Sequence, residues 1–455
     1  MEIKNNPKLV EIDIVDLAFD GKSVGHLDGK VCFLKGGLPG EKVLAEITRE
    51  KRRFNNGIVR EIIKKSDKRI DAVCSHFGHC GGCTWQDLNY SDQLSYKQKQ
   101  VSDCIERIGG LESVIIHEII GSENVFRYRN KMEYSFHKAE DDEFTLGLHV
   151  RGEFDSIFNL NECHITTEHD ADIVKWFREY IKQNNIDVYD VKNHGGYMRF
   201  LMLRSTSNIS QLMVNIVTNY GDFPNTDKLI DELTSTFPQI TTLVHNQNGQ
   251  KSNIAVGEIE NILFGTGYIE EKLFESTFRI RANSFFQTNS HQAQKLYQTG
   301  FDMLKPDATS NVLDLYCGTG SIGILIAPLV SAVVGVELVA DAVSSAKENA
   351  SINNISNISF FEGFVKDFLK ENNKTDRYFD IVIVDPPRAG LNPKALKELI
   401  KLKPQKILYI SCNPATFARD AKTLVESGYN LPELKPIDMF PHTMHIELAS
   451  VFYLG

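Results

Sequence analysis

No run in this 455-residue chain approaches the roughly 20 consecutive apolar residues that a membrane-crossing helix needs. The opening residues Met1-Glu2-Ile3-Lys4-Asn5-Asn6 pass straight into polar sequence, without the apolar core of a secretory signal, so the expected compartment is the cytoplasm. Cysteine is scarce: eight residues are too few to staple a chain of this length, which excludes a disulfide scaffold. There is no internal repeat and no low-complexity tract, so solenoids and disordered polar chains are excluded as well. Basic charge is also in deficit. Fifty Lys and Arg against 60 Asp and Glu leave a net charge of -10, which for the chain as a whole argues against a phosphate-rich partner.

The material that is present points to a globular protein. Hydrophobic residues make up 42% and charged residues 24%, close to the soluble average, and at about 150 residues per domain the length implies roughly three domains. The charge is unevenly spread. Residues 1–69 hold 15 Lys and Arg against 11 Asp and Glu, so a basic N-terminal piece precedes an acidic body, with local clusters at Lys51-Arg52-Arg53, Lys64-Lys65 and Lys68-Arg69. Between Leu9 and Lys64, β-rich runs (Val10 to Val15, Lys30 to Leu34, Lys42 to Ile47, Asn56 to Ile63) alternate with glycine turns. That pattern predicts a small closed barrel of about five strands, a common platform for single-stranded nucleic acid, with a purely structural barrel as the alternative.

Residues 70–118 carry a cysteine cluster and then a helix-like polar run, Ser91 to Arg107; residues 119–270 read as mixed α and β with long irregular stretches. From Ala308 onward, apolar strands alternate with helical patterns of 10 to 15 residues, which predicts a doubly wound α/β domain with a mainly parallel sheet. Its first strand runs through Asp314 and Tyr316 into Cys317-Gly318-Thr319-Gly320, where glycine lets backbone approach an adenosine-type ligand. The next strand ends in Glu337, placed to hold both ribose hydroxyls. With neither the Lys-Ser/Thr of a phosphate loop nor the third glycine of dinucleotide binders, this turn resembles the S-adenosylmethionine site of class I methyltransferases.

Two further strand ends carry chemistry. Asp385-Pro386-Pro387-Arg388-Ala389-Gly390 puts a carboxylate on a proline-stiffened turn. Ser411-Cys412-Asn413-Pro414 puts a thiol beside a helix N-terminus, whose partial positive charge favours thiolate. Asn413 reads as N-cap and Pro414 as first helical residue. His445-Ile446-Glu447 supplies a further acid before the last strand.

With Phe285-Phe286-Gln287-Thr288-Asn289, these motifs resemble the RNA uracil-C5 methyltransferase family over essentially the whole chain, and most closely its branch acting on 23S ribosomal RNA; the N-terminal barrel resembles the TRAM domain of that family. The resemblance implies an α/β class I Rossmann-like methyltransferase domain (86–117 and 281–455), a central α+β iron-sulfur domain (67–85 and 118–280) and an OB-like TRAM barrel (1–66). It assigns Cys412 as nucleophile and Glu447 as base. Gln287, Tyr316, Gly318, Gly320, Glu337 and Asp385 fall on the cofactor site, and Phe285, Gln287 and Asp385 near the base pocket. Ribosomal RNA is the implied partner, with transfer RNA as the alternative.

The chemistry suits those residue types. Uracil C5 is too weak a nucleophile to take a methyl group directly, whereas thiolate addition at C6 activates it, and a base must afterwards remove the C5 proton. A cytosine-C5 methyltransferase would also use a cysteine and an acid, but here proline follows Asn413 instead of directly preceding Cys412. A non-catalytic RNA-binding factor would not need the complete set. Finally, Cys74, Cys80, Cys83 and Cys163 offer four thiolates suited by type to zinc or to a four-iron four-sulfur cluster. The family resemblance implies the 4Fe-4S cluster.

Overall fold

The computed structural model describes residues 8–138, 143–153, 155–251, 254–375 and 377–455. Residues 1–7, which include Met1–Asn6 and the start of the expected barrel domain, lie outside the described residues.

Five strands, Lys8–Leu17, Ser23–Leu27, Lys30–Lys35, Lys42–Glu50 and Phe54–Lys64, close into a barrel. Alternation drives it: Ile12, Ile14, Cys32, Leu34, Val43 and Ala45 point inward and form a small core. The second strand is the one the sequence pattern did not single out. It is short and carries Gly25, which is required because a side chain there would collide with Ile12 on the neighbouring strand. Lys51, Arg52 and Arg53 lie exposed between the last two strands.

The middle of the chain is more regular than its sequence pattern. A seven-stranded sheet runs in the order Ile259–Phe264, Ile240–Gln247, Leu212–Thr218, Met198–Ser205, Lys131–Lys138, Phe144–His149, Ile157–Asn159. Its two central strands, Met198–Ser205 and Leu212–Thr218, are buried along nearly their whole length, so they lack the in-and-out alternation by which a half-exposed strand is recognised. Helices Asp170–Gln183 and Thr226–Thr236 cover one face. From the other face, Met202, Met213 and Val244 pack into the core of the C-terminal sheet.

That C-terminal sheet has the order Ile358–Glu362, Ala332–Glu337, Asn311–Leu315, Ile381–Val384, Lys406–Ser411, Glu447–Leu454, Glu433–Ile437, Ile115–Ile116. The first five strands are parallel, and strand order reverses on either side of Asn311–Leu315, the place where open α/β sheets bind ligands at their carboxyl ends. Glu447–Leu454 is antiparallel to its neighbour, with Leu448 opposite Ser411, so its first residue stands at the edge where the parallel strands end. Tyr316, Glu337, Asp385, Cys412 and Glu447 therefore share one rim. Helix Tyr90–Cys104 buries Val101 and Cys104 in the same core, and Ile115–Ile116 adds a parallel strand beside Glu433–Leu434. None of the described helices is long and apolar enough to cross a membrane.

Candidate active site

A single cavity of about 1030 Å³ opens at this rim, and its walls include Phe285, Gln287, Tyr316, Gly318, Glu337, Asp385, Cys412 and Glu447. The side of the cavity bearing Tyr316, Gly318 and Glu337 is shaped largely by backbone. Tyr316 adopts a left-handed conformation (φ 63°), unusual for a bulky residue, and its N–H donates to the carbonyl of Val336 at 3.0 Å. Gly318 is also left-handed, and a Cβ there would meet nothing within 4 Å, leaving open space beside the turn for a ligand. Glu337 is held by three backbone N–H groups: Gly318 to Oε2 at 3.1 Å, and Leu338 and Val339 to Oε1 at 2.7 and 2.9 Å. Its carboxylate is thus fixed in place by backbone. Gly320 is not part of the wall; it caps helix Ser321–Ile326 and lies where a side chain would press on Phe360 and Ala346.

The Cys412 side of the cavity is stiffened by one asparagine. Asn413 caps helix Pro414–Glu426, accepting from the N–H groups of Ala415 and Thr416 at 3.0 and 3.4 Å, and its Nδ2 donates to the carbonyl of Arg388 at 3.1 Å. The loop bearing Cys412 and the loop bearing Asp385 are thereby tied together. Asn289 caps helix Ser290–Leu304 by accepting from the Gln292 N–H at 3.1 Å, which places Gln287 and the 69% exposed Phe285 at the cavity wall. Arg388 reaches the ring nitrogens of His445 at 3.2 Å, and both side chains line the cavity beside Glu447.

Electrostatics modify the expectation for the thiol. Burial, then the carboxyls of Glu447 and Asp385, push the Cys412 thiol up to about 12, with Arg388 opposing. The helix N-terminus therefore does not by itself yield a thiolate. Burial raises Asp385 to about 7. Glu447, only 5% exposed, is driven well above the carboxylate range by burial and by Asp385.

The four cysteines of the N-terminal half also converge. Cys74, Cys80, Cys83 and Cys163 line a second, smaller pocket with Met132, Leu148 and Ile165. The Gly82 N–H donates to Cys80 Sγ at 3.3 Å, and Gln86 Nε2 to Cys83 Sγ at 3.7 Å. Among the described residues, no three His, Cys, Asp or Glu side chains are gathered as ligands of a single metal ion. Cys32 and Cys104 are packed thiols in the barrel core and the sheet core.

The family model for tRNA (uracil-5-)-methyltransferase matches residues 89–453. The chain belongs to this family. An RNA methyltransferase of Caldanaerobacter subterraneus subsp. tengcongensis, itself uncharacterized, is 39% identical across 98% of both chains. An uncharacterized RNA methyltransferase of Bacillus cereus is 36% identical, across 96% of this chain and 95% of its own. Among solved structures, the Pyrococcus abyssi tRNA (uracil-54, C5)-methyltransferase in complex with S-adenosyl-L-homocysteine superposes with a TM-score of 0.78 at 30% identity, covering 97% of this chain and all of that one. The protein is an S-adenosylmethionine-dependent RNA uracil-5-methyltransferase.

In this methyltransferase several cavity residues had no separate sequence signal. Arg129, Glu258 and Glu260 reach the cavity from the central sheet and its loops, and Asp341 and Ser345 from helix Ala340–Ile352. Arg129 belongs to the basic run Arg127-Tyr128-Arg129-Asn130-Lys131. Arg388 and His445 sat inside motifs already noted for their neighbours.

Proposed function

We propose that this enzyme methylates C5 of a specific uridine in RNA through covalent addition of Cys412 at C6, with Glu447 removing the C5 proton. The observation that carries the reading is the convergence of Cys412, Glu447 and Asp385 with the cofactor-side residues Gln287, Tyr316, Gly318 and Glu337 on one cavity. Gly318 and Glu337 would hold S-adenosylmethionine, which when bound would supply an electrophilic methyl group and leave as S-adenosylhomocysteine as its methyl-sulfur bond breaks. Cys412 Sγ bonds to C6, and the C5–C6 π electrons move toward the C4 oxygen, making C5 nucleophilic. Once C5 carries the methyl group, Glu447 takes its proton, the electrons re-form the C5–C6 double bond, and the C6–S bond breaks. Burial that strengthens proton affinity makes Glu447 a stronger acceptor, once ionised, than an exposed carboxylate. Asp385, Gln287 and Phe285 would hold the extruded base; reaching C6 requires the uridine to leave its stack, which favours a looped RNA segment.

The target we propose first is 23S ribosomal RNA, on the sequence resemblance. Transfer RNA is the second reading, supported by the likeness to the Pyrococcus abyssi tRNA enzyme. Transcripts of 23S rRNA and of transfer RNA carrying 5-fluorouridine test mechanism and target together, because fluorine at C5 cannot leave as a proton. One class is expected to trap the enzyme covalently, and Cys412→Ala is expected to abolish trapping. Methylation by the alanine variant would refute the nucleophile.

We further propose that Cys74, Cys80, Cys83 and Cys163 hold a 4Fe-4S cluster that ties the central domain together and supplies no electron to the methylation. Four thiols around one largely apolar pocket with N–H donors directed at two sulfurs fit such a cluster. Protein purified without oxygen is expected to be brown, with about four irons per chain, and Cys74→Ser or Cys163→Ser to be bleached. Stoichiometric zinc in that protein would overturn the assignment.

A further inference from the structure

The acid Glu447 is the last step of a tightly held strap. Strands Glu433–Ile437 and Glu447–Leu454 pair with Ile437 opposite Glu447, so residues 438–446 form a loop whose exit is the proposed base. At the head of that loop Asp438 is fully buried, and its Oδ1 accepts from Nζ of Lys97 at 2.7 Å; Lys97 is likewise 0% exposed. Oδ1 also accepts from the backbone N–H of Phe440 at 3.0 Å, and Oδ2 from the hydroxyl of Tyr90 at 3.0 Å. Lys97 Nζ donates in addition to the carbonyl of Phe440 at 3.1 Å, and Phe440 lines the active cavity.

The rest of the strap backbone is held in the same way. Asn289 and Gln292 donate to the carbonyls of Met439 and Asp438 at 2.9 and 2.8 Å. Tyr128 donates to the Pro441 carbonyl at 2.9 Å. Gln93 Oε1 accepts from the His442 N–H at 2.8 Å, and the His442 carbonyl accepts from Thr84 and Trp85. A buried ion pair is a poor device for stability, because desolvation offsets most of the attraction, but it fixes geometry. Here the geometry fixed is the path of the chain into Glu447.

We propose that the Lys97–Asp438 pair, with Tyr90, positions Glu447 for proton removal, so that these residues of the helix Tyr90–Cys104 and the strap control the resolution of the covalent enzyme-RNA adduct and not its formation. The inference rests on Glu447 being the base.

The decisive variant is the double replacement Lys97→Met with Asp438→Leu, which removes both charges together and leaves no buried ion alone, while deleting every bond from this pair to Phe440. Tyr90→Phe is the milder second variant, losing one hydroxyl. Rapid-quench reactions with unmodified 23S rRNA and transfer RNA transcripts and labelled S-adenosylmethionine read adduct formation and adduct decay separately on denaturing gels. In the double variant, adduct decay is expected to slow by at least about tenfold with formation changed by less than about threefold, the size of effect that a misplaced group produces. A merely structural role would lower both steps alike, or the affinity for RNA, and that result would overturn the proposal. Should the double variant not fold, Tyr90→Phe decides: decay at the wild-type rate overturns the proposal, selective slowing supports it. Glu447→Gln run in parallel separates the two readings. If its adduct decays normally, the base assignment fails; if its adduct persists while the clamp variants resolve normally, only the positioning role fails.

Discussion

At the scale of the residue, the thiol proposed as nucleophile is held toward its protonated form by its surroundings. Cys412 is enclosed with two carboxyls, and its thiol is pushed up to about 12. Only the deprotonated sulfur reacts, so below that value each pH unit changes the reactive fraction about tenfold. In ligand-free protein, iodoacetamide is therefore expected to label Cys412 slowly at pH 7 and faster by about tenfold per unit up to pH 10, as read by peptide mass spectrometry. A labelling rate that levels off below pH 9 would show that the thiol is not held up. Adding S-adenosylmethionine, which carries a positive sulfonium, is expected to raise the rate at pH 7. The identities of these residues were legible in the sequence, because strand ends followed by glycine, proline or a capping asparagine leave a local signature. Their protonation was not: the sequence places Cys412 at a helix N-terminus, but the carboxyls that outweigh it come from residues 385 and 447, brought alongside only by the fold.

At the scale of the element, the tie between the two loops is Asn413. Its Oδ1 caps a helix and its Nδ2 holds the Arg388 carbonyl, so the two roles can be separated by chemistry. Asn413→Ala is expected to cost about 1 kcal/mol in stability and to lower the methylation rate. Asn413→Asp keeps the cap but cannot donate, so it is expected to melt near wild type while retaining the activity loss. Equal rates for Asp and wild type would show that the tie is idle. The same scale explains which elements the sequence disclosed. The five parallel strands and the helices after them announce themselves by alternating composition, and the barrel by its glycine turns. Met198–Ser205 and Leu212–Thr218 did not, since strands buried on both faces lack the alternation of a half-exposed strand. The left-handed backbone of Tyr316 had no signature at all, because nothing in a tyrosine announces a positive φ.

At the scale of the whole molecule, charge is divided between parts. The acidic body carries the cavity, and the basic clusters sit on and just after the barrel, with Lys51, Arg52 and Arg53 exposed. If those side chains meet phosphates, neutralising all three is expected to weaken binding of long RNA and to flatten its salt dependence, by a slope of up to about 3 in log affinity against log salt. Affinity for S-adenosylmethionine is expected to be unchanged, since the cofactor side is built from Tyr316 to Glu337. An unaltered slope would return the barrel to a purely structural part. The buried pair between Lys97 and Asp438 has a further bearing, on how the chain is made. The two residues are 341 apart in sequence, and at the usual pace of about 5 to 20 residues per second the ribosome needs roughly 17 to 70 s to deliver the second after the first. Throughout that interval the helix around Lys97 has neither its buried partner nor the strand beside Ile115, so the catalytic sheet cannot close, and the growing chain carries no assembled active site, before Asp438 and Glu447 have been made.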